Sequence, residues 1–169
     1  METNPSEAGP FRILFVCTGN TCRSPLAEAI ARHRVRELGW EQVEVASAGV
    51  GAFEGSPASD GSVRAAAAAG MDLSGHGATL LTGERADAAD LILTMSSTHL
   101  MRVVELGAGD RAAMITSFAN GGEGGEGSWV GHGVPDPIGG SDEEYQATYD
   151  MLDDLIRRTL DRLEPVVNP

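Results

Sequence analysis

The sequence contains no lysine, so its 12 basic side chains are all arginine, and they face 25 Asp and Glu residues. A chain with a formal net charge of −13 lacks the broad basic surface that nucleic-acid binding requires. The sequence also lacks any run approaching the roughly 18 apolar residues of a membrane span. We therefore expect no nucleic-acid partner and no membrane partner.

Cysteine is scarce as well, because Cys17 and Cys22 are the only two. Two cysteines are too few for a disulfide scaffold or for a cysteine-based structural zinc site. Residues 1–10 hold acidic residues and prolines but no apolar run, so they do not read as a secretory signal. We expect a cytoplasmic protein with a disordered tail over residues 1–10 and a single domain over residues 11–164.

Strand and helix patterns alternate along the chain. Predicted strands cover residues 11–16, 41–47, 90–95 and 112–118, and the first ends directly at Cys17. Predicted helices begin at Pro25, at Ser62 and after a polar cap at Ser96-Ser97-Thr98, and they end at Gly39, at Gly70 and near Leu106. This alternation predicts an α/β fold in which helices cover both faces of a parallel sheet.

The clearest predicted helix lies near the C-terminus. Ser141 and Glu144 form a capping box before it, and an apolar stripe follows at helical spacing. The stripe consists of Tyr145, Tyr149, Leu152, Leu155, Ile156, Leu160 and Leu163. Residues 119–133 hold seven glycines and are predicted to form a mobile loop rather than a second domain.

The segment from Cys17 to Ser24 reads Cys-Thr-Gly-Asn-Thr-Cys-Arg-Ser and joins the first strand to the first helix. Backbone amides and the helix dipole point into such a loop, which favours a bound phosphate or other oxyanion. Arg23 can hold two phosphate oxygens at once, and the same positive field favours the thiolate of Cys17. Ser24 is suited to stabilise that thiolate, and Asn20 tolerates an unusual backbone conformation.

A single Cys-x5-Arg pair has a plainer alternative, namely a strand-to-helix turn with a buried structural cysteine. Gly19, Asn20, Ser24 and Pro25 in the same strand, loop and helix context argue against it. The loop therefore predicts a cysteine nucleophile directed at a bound phosphate.

From about Phe11 to Leu163 the sequence resembles the low-molecular-weight protein-tyrosine-phosphatase family. Its two specific markers are the loop over residues 16–25 and Asp136-Pro137 just before the C-terminal helix. Further similarity lies at Ser47-Ala48-Gly49 and at residues 73–76. The resemblance implies a three-layer, doubly wound fold with a four-stranded parallel sheet, a phosphocysteine intermediate, and no metal or other cofactor. It also implies a monomer that acts on phosphorylated proteins.

Carried over residue by residue, the resemblance implies a role for each position. Cys17 would be the nucleophile, Arg23 the phosphate binder, and Asp136 the acid that protonates the leaving group and later accepts a proton from water. The other loop residues would bind the substrate's phosphate: Thr18, Gly19, Asn20, Thr21, Cys22 and Ser24. Ser47 and His76 would support the loop around Asn20. Pro137 would fix the segment that carries Asp136.

The histidines carry little further signal. For His76 an ordinary structural histidine is an equal alternative. His33, His99 and His132 show no ligand spacing with one another or with a carboxylate pair, so no metal site is assigned to them.

Two details bear on the substrate. Position 21 is Thr, where many tyrosine-specific members carry a larger apolar residue, and Ile138-Gly139-Gly140 stands where they usually place aromatics. Both features are similar to the bacterial protein-arginine-phosphatase branch of the family. Thr21 leaves room and a hydroxyl for a flat, polar guanidine, which predicts a protein-arginine phosphatase. A tyrosine phosphatase is the alternative, with Phe53 or Trp129 supplying an aromatic wall, and neutral drift at position 21 would also explain the difference.

An alternative function of another class depends on the same loop. The protein would then be a phosphate-binding or thiol redox-sensing module that does not turn over a substrate. Cys22 lies beside Cys17, and a reactive thiol oxidises to a sulfenic acid that condenses with a neighbouring thiol. Asp136 would have no purpose in a sensor, so we expect this disulfide to protect an enzyme reversibly. A thioredoxin-coupled arsenate reductase needs further cysteines, and none follows Cys22.

Overall fold

The computed structural model describes residues 9–121 and 132–168. The predicted tail up to residue 8 and residues 122–131 of the predicted mobile loop, Trp129 among them, lie outside this range. In the described part, the strands β1 (Phe11–Cys17), β2 (Val43–Gly49), β3 (Leu91–Thr94) and β4 (Ala112–Met114) form one parallel sheet. Its order is β2-β1-β3-β4, which confirms the predicted four-stranded α/β fold.

Helices cover both faces of this sheet. They are α1 (Arg23–Glu37), α2 (Asp60–Ala68), α3 (Gly83–Asp87), α4 (Ser97–Glu105), α5 (Ile115–Ala119) and α6 (Asp142–Val167), with a short 3-10 turn at Gly109–Arg111. Ile13 and Phe15 of β1 pack with α1, α2, α5 and α6, whereas Leu14 and Val16 pack with α3 and α4. Because both of its faces are buried, β1 is apolar without alternation. None of the described helices has the length and apolar character to cross a membrane.

The predicted helix ends are largely confirmed. Gly39 and Gly70 follow α1 and α2 with φ of +72° and +81°, a conformation that glycine adopts without strain. The Ser141 hydroxyl accepts the Glu144 N–H at the start of α6, as the capping box predicts. Helix α1 begins at Arg23, before Pro25, and the proline is tolerated because N–H groups in a first helical turn lack partners within the helix.

The predicted strand over residues 112–118 is wrong beyond Met114. β4 pairs only with Ile92, Leu93 and Thr94, and β3 ends there, so no ladder continues past Met114. The chain turns into α5 instead, where Ile115 and Ala119, four residues apart, both face the core. The second strand is also displaced, because it covers Val43–Gly49 rather than residues 41–47.

Candidate active site

The candidate site lies at the carboxyl ends of β1 and β3, where ligands bind in open parallel sheets. β1 ends at Cys17 and α1 begins at Arg23, so residues 18–22 form a short loop between them. We call residues 17–24 the cradle. The segment that carries Asp136 reaches the same edge, because the Val134 N–H donates to the Met95 carbonyl just after β3 at 2.8 Å.

The Cys17 thiol is buried and lies 2.9 Å from the Ser24 hydroxyl oxygen. The direction of this contact follows from a third residue. The Asn20 side-chain nitrogen donates to the Ser24 oxygen at 2.7 Å, which leaves the hydroxyl hydrogen of Ser24 free to point at the sulfur. A hydrogen bond donated to sulfur favours its negatively charged form.

Asn20 holds the cradle in shape. Its φ of +55° is the only positive value at a non-glycine residue in the described part of the chain. Its buried amide accepts the Thr79 N–H at 2.9 Å and donates to Ser24 and to Ser47, the latter at 2.9 Å. The Nε2 of His76 donates to the Asn20 carbonyl at 2.7 Å. Both polar atoms of the Asn20 side chain are thus hydrogen-bonded. The two expected supporting residues, Ser47 and His76, both contact Asn20.

Gly49, at the end of β2, allows the cradle to approach the neighbouring strand. A Cβ atom at this position would lie 2.5 Å from the Thr18 carbonyl oxygen and 2.8 Å from the Asn20 nitrogen. Ser47, two residues earlier, contacts Asn20 and donates its hydroxyl to Glu28 at 3.2 Å. The Ser47-Ala48-Gly49 sequence therefore serves the cradle in two ways. Ser47 supports Asn20 through a hydrogen bond, and Gly49 leaves room for the backbone of Thr18 and Asn20.

Arg23 is 6% exposed and points into the site. Its Nη1 donates to the Val134 carbonyl at 2.9 Å, and its Nη2 lies 3.5 Å from a carboxylate oxygen of Asp136. Its Nε is buried and has no hydrogen-bond partner within the described residues. Because a buried N–H without a partner costs free energy, the guanidinium is suited to an oxyanion that would accept from it.

Asp136 lies at the rim of the cradle, with its side chain 41% exposed. One of its carboxylate oxygens faces Arg23, and the other accepts the Ile138 N–H at 3.1 Å. Pro137, which lies between Asp136 and Ile138 in the sequence, is buried. The carboxylate is therefore held beside the cradle yet open to solvent and to a ligand.

His99 is a site residue that the sequence patterns do not predict, since its spacing indicated only that it binds no metal. This side chain is 2% exposed, with Nε2 2.8 Å from the Thr18 hydroxyl and Nδ1 3.0 Å from the Ser96 hydroxyl. Burial, assisted by the Arg23 charge and opposed by Asp136, lowers the pKa of His99 to about 4. The available signal was its place just after β3, the strand beside β1.

Two partners of Cys22 were also missed. The Cys22 thiol donates to the Ser59 hydroxyl at 3.2 Å and lies 3.6 Å from the hydroxyl of Tyr145, which burial gives a raised pKa. The Ser59 N–H donates to the Thr21 carbonyl at 2.9 Å, so the start of α2 braces this side of the cradle. Cys17 and Cys22 are both free and buried, and the disulfide between them stays a prediction.

Other residues singled out in the sequence differ widely in exposure. Phe53 and Ile138 are exposed, by 82% and 67%, and Thr21 in the cradle is half-buried. Trp40, which follows the Gly39 helix end, is buried in the core. Exposed apolar side chains are therefore available for contact with a large substrate.

Comparison with known proteins places this geometry in context. The family model described as "Low molecular weight phosphotyrosine protein phosphatase" matches residues 12–167. The chain is 38% identical over 157 residues to a protein-arginine-phosphatase from Geobacillus stearothermophilus, covering 92% of this chain and 97% of that protein. It is 35% identical over 142 residues to the low molecular weight protein-tyrosine-phosphatase Etp from Escherichia coli strain K12, covering 83% and 86%. Among solved structures, it is similar to a YwlE arginine phosphatase mutant with a phosphorylated active-site serine, with a TM-score of 0.80, 34% identity, and coverage of 91% and 96%.

Proposed function

Because the chain belongs to the low molecular weight phosphotyrosine protein phosphatase family, we propose that it hydrolyses phosphorylated protein side chains through a phosphocysteine intermediate, with phosphoarginine as its preferred substrate. The observation that carries the proposal is the cradle itself. A thiol that accepts a hydrogen bond from Ser24 faces the same loop as a buried guanidinium, whose Nε has no partner in the part of the chain that the structure describes. The Asp136 carboxylate lies beside them.

In the proposed first step, the phosphoryl group of the substrate lies in the cradle and is held by backbone N–H groups and Arg23. The Cys17 thiolate attacks phosphorus, a sulfur–phosphorus bond forms, and the bond from phosphorus to the leaving nitrogen or oxygen breaks. Asp136, protonated, donates its proton to that leaving atom. The Ser24 hydrogen bond supports this step because it favours the thiolate over the thiol.

In the proposed second step, water attacks the phosphocysteine. Asp136, now a carboxylate, accepts a proton from that water, the sulfur–phosphorus bond breaks, and inorganic phosphate and the thiolate are released. The partial exposure of Asp136 supports this exchange, because water can reach the carboxylate from the rim. The similar YwlE structure with phosphate on its active-site serine supports a phosphorylated enzyme intermediate.

Two features favour phosphoarginine. Thr21 is half-buried in the cradle, and its short side chain leaves room for a planar guanidine. Ile138 and the two glycines after it provide no aromatic ring beside Asp136. The relative from Geobacillus stearothermophilus named protein-arginine-phosphatase matches nearly its whole length to this chain, which supports the same assignment.

Phosphotyrosine is the second candidate substrate. The exposed ring of Phe53, on the loop after β2, could pack against a phenyl group in place of an aromatic side chain at position 138. The relative Etp, named a protein-tyrosine-phosphatase, is nearly as similar to this chain over a somewhat shorter match.

A direct comparison of two substrates tests the proposal. Hydrolysis of a phosphoarginine peptide and a phosphotyrosine peptide of the same sequence would be measured side by side, with Cys17→Ser as the blank. We expect at least about tenfold preference for phosphoarginine, and Thr21→Ile should shift the ratio of kcat/KM values toward phosphotyrosine. Preference for phosphotyrosine would overturn the substrate assignment, and turnover of neither peptide would favour the phosphate-binding or redox-sensing module.

A further inference from the structure

His99 is a buried titratable side chain that the proposed reaction does not use. It is the third residue of α4, and both of its ring nitrogens contact hydroxyl groups, Nε2 that of Thr18 and Nδ1 that of Ser96. Thr18 is exposed and is the first residue of the cradle after Cys17. The histidine is thus the link between this residue and the chain just beyond β3.

The end of β3 holds the cradle at both ends. At one end, Thr18 is tied to Ser96 through the His99 ring. At the other end, Arg23 donates to the Val134 carbonyl, and the N–H of Val134 donates to the carbonyl of Met95, the neighbour of Ser96. Removal of the histidine contact would therefore release the Thr18 side chain from the end of β3. Two other ties would remain, the Met95 N–H that donates to the Val16 carbonyl before the cradle and the Arg23 contact with Val134 beside the segment that carries Asp136.

The chemistry of the ring fits such a role. Burial and the neighbouring Arg23 lower the pKa of His99 to about 4, so the imidazole is neutral at neutral pH. A neutral imidazole has one donor and one acceptor nitrogen, and a hydroxyl can match either. The contact therefore adds no positive charge beside Arg23, so it leaves the Arg23 charge for the phosphate and for Asp136.

We propose that His99 is a positioning residue for the cradle, which fixes Thr18 against the end of β3 and thereby sets the cradle in register with Asp136. The inference rests on the proposed function, because the register matters for a reaction that needs both the thiolate and the acid. Small displacements of reacting groups cost much of an enzyme's rate, so the expected effect is on turnover as well as on folding.

Two amide substitutions separate this role from simple packing. His99→Gln keeps a polar atom near the place of Nε2 and can still reach Thr18, whereas His99→Asn keeps one near the place of Nδ1 and can reach only Ser96. We expect His99→Asn and Thr18→Val each to lower kcat/KM about tenfold and to weaken inhibition by inorganic phosphate. His99→Gln should recover most of that loss, and the double variant His99→Asn/Thr18→Val should lose no more than either single variant. Thr98→Val, which removes an exposed hydroxyl bonded to Ser96 at 2.8 Å, is the matched control.

Several results would overturn the inference. These are losses that add in the double variant, equal activity of the Gln and Asn variants, or a lower melting temperature with unchanged kcat/KM and phosphate inhibition. Because Thr18 is exposed, Thr18→Val should fold even if a variant at His99 does not. If the wild-type protein hydrolyses neither phosphopeptide, the proposed function fails, and the same variants are then compared by the melting-temperature increase that inorganic phosphate produces.

Discussion

At the scale of single residues, the direction of hydrogen bonds decides what the cradle can do. The Thr79 N–H fixes which end of the Asn20 amide is the oxygen, and the amide nitrogen then makes the Ser24 oxygen an acceptor. The Ser24 hydrogen is left for Cys17. A backbone N–H in the loop before α3 thus determines, through two side chains, that the nucleophile receives a hydrogen bond.

Ser24→Ala should remove that hydrogen bond while the thiol stays in place. Hydrogen bonds to charged groups contribute about 1.5–3 kcal/mol, so the reaction of the Cys17 sulfur with an alkylating reagent should slow by about tenfold or more. The measurement is the rate at which iodoacetamide alkylates Cys17 at pH 6, followed by mass spectrometry of the Cys17 peptide. Ser62→Ala, which removes another buried serine hydroxyl that contacts the loop only through the Cys22 carbonyl, is the control. Equal rates for wild type and Ser24→Ala would contradict the assigned direction.

His99 should also make stability depend on pH. Its pKa is about 4 in the folded protein against 6.5 for the ordinary side chain, so the unfolded chain binds more protons between these values. The free energy of unfolding therefore falls as the pH drops from 6.5 toward 4, by at most about 3 kcal/mol for this one group.

Urea unfolding of wild type and His99→Gln between pH 7 and 5 measures this contribution, because most carboxylates titrate below that range. The variant should lose the part of the slope that His99 supplies, while His132→Gln, which removes an exposed imidazole, should keep it. If the free energy of unfolding of His99→Gln changes with pH as it does in the wild type, the His99 ring titrates at its ordinary pKa.

Much of this site was predictable at the residue scale, and its limits have a physical cause. Cys17, Arg23 and Ser24 are neighbours along the chain, so their shared environment follows from one strand, one loop and one helix start. His99 and Tyr145 reach the cradle from 81 and 123 positions away, and only the packing of α4 and α6 brings them there. Local patterns place His99 just after β3 but do not specify which residues of the cradle it contacts, and they give no such signal for Tyr145.

At the scale of elements, glycines set how closely the strands and loops approach at the site. Gly49 lies against the Thr18 and Asn20 backbone, and Gly133 lies against the Met95 carbonyl, 2.5 Å from where its Cβ atom would be. One glycine therefore seats the cradle against β2, and the other seats the Asp136 segment against the end of β3. Both contacts involve backbone atoms, which a side chain cannot displace cheaply.

Gly49→Ala should consequently damage activity and stability together. The added methyl group would overlap the cradle backbone, and overpacking of this kind costs about 1–3 kcal/mol. We expect kcat/KM to fall at least about tenfold and the urea midpoint to decrease. Gly51→Ala is the matched control two residues away, since a Cβ atom there would meet its nearest neighbour at 4.0 Å. If both alanine variants behave alike, the close approach at Gly49 is not what seats the cradle.

The predicted helix ends are right where a local sequence signal marks them. The predicted strand is wrong where its length depends on pairing with another strand. Gly39, Gly70 and the Ser141 cap end or begin helices through their own backbone and side-chain chemistry. The apolar run at 112–118 has no such marker, and the short β3 determines that it is a strand for only three residues. The length of the partner strand β3 cannot be read from the sequence of residues 112–118.

At the scale of the whole molecule, a strong net charge and the lack of any Lys or Arg between Arg111 and Arg157 shape the approach of substrates. The formal net charge is −13, and the start of α6 adds exposed Asp142, Glu143 and Glu144 shortly after Asp136. Arg64 pairs with Asp142 at 2.9 Å and offsets only one of these charges. Such a field attracts positively charged peptides and repels acidic ones over distances of about a Debye length.

This field should be visible in the salt dependence of turnover. For a phosphopeptide with basic flanking residues, kcat/KM should fall several-fold as ionic strength rises from about 0.01 M to 0.15 M, where the screening distance shrinks from about 30 Å to about 8 Å. A peptide with the same phosphorylated residue and acidic flanks should show the opposite trend, because salt screens its repulsion. The comparison controls for direct effects of salt on the cradle, since both peptides place the same phosphoryl group there. Parallel salt dependences for the two peptides would mean that the charge of the molecule acts at the cradle alone, and that its surface exerts no selection on the protein substrate.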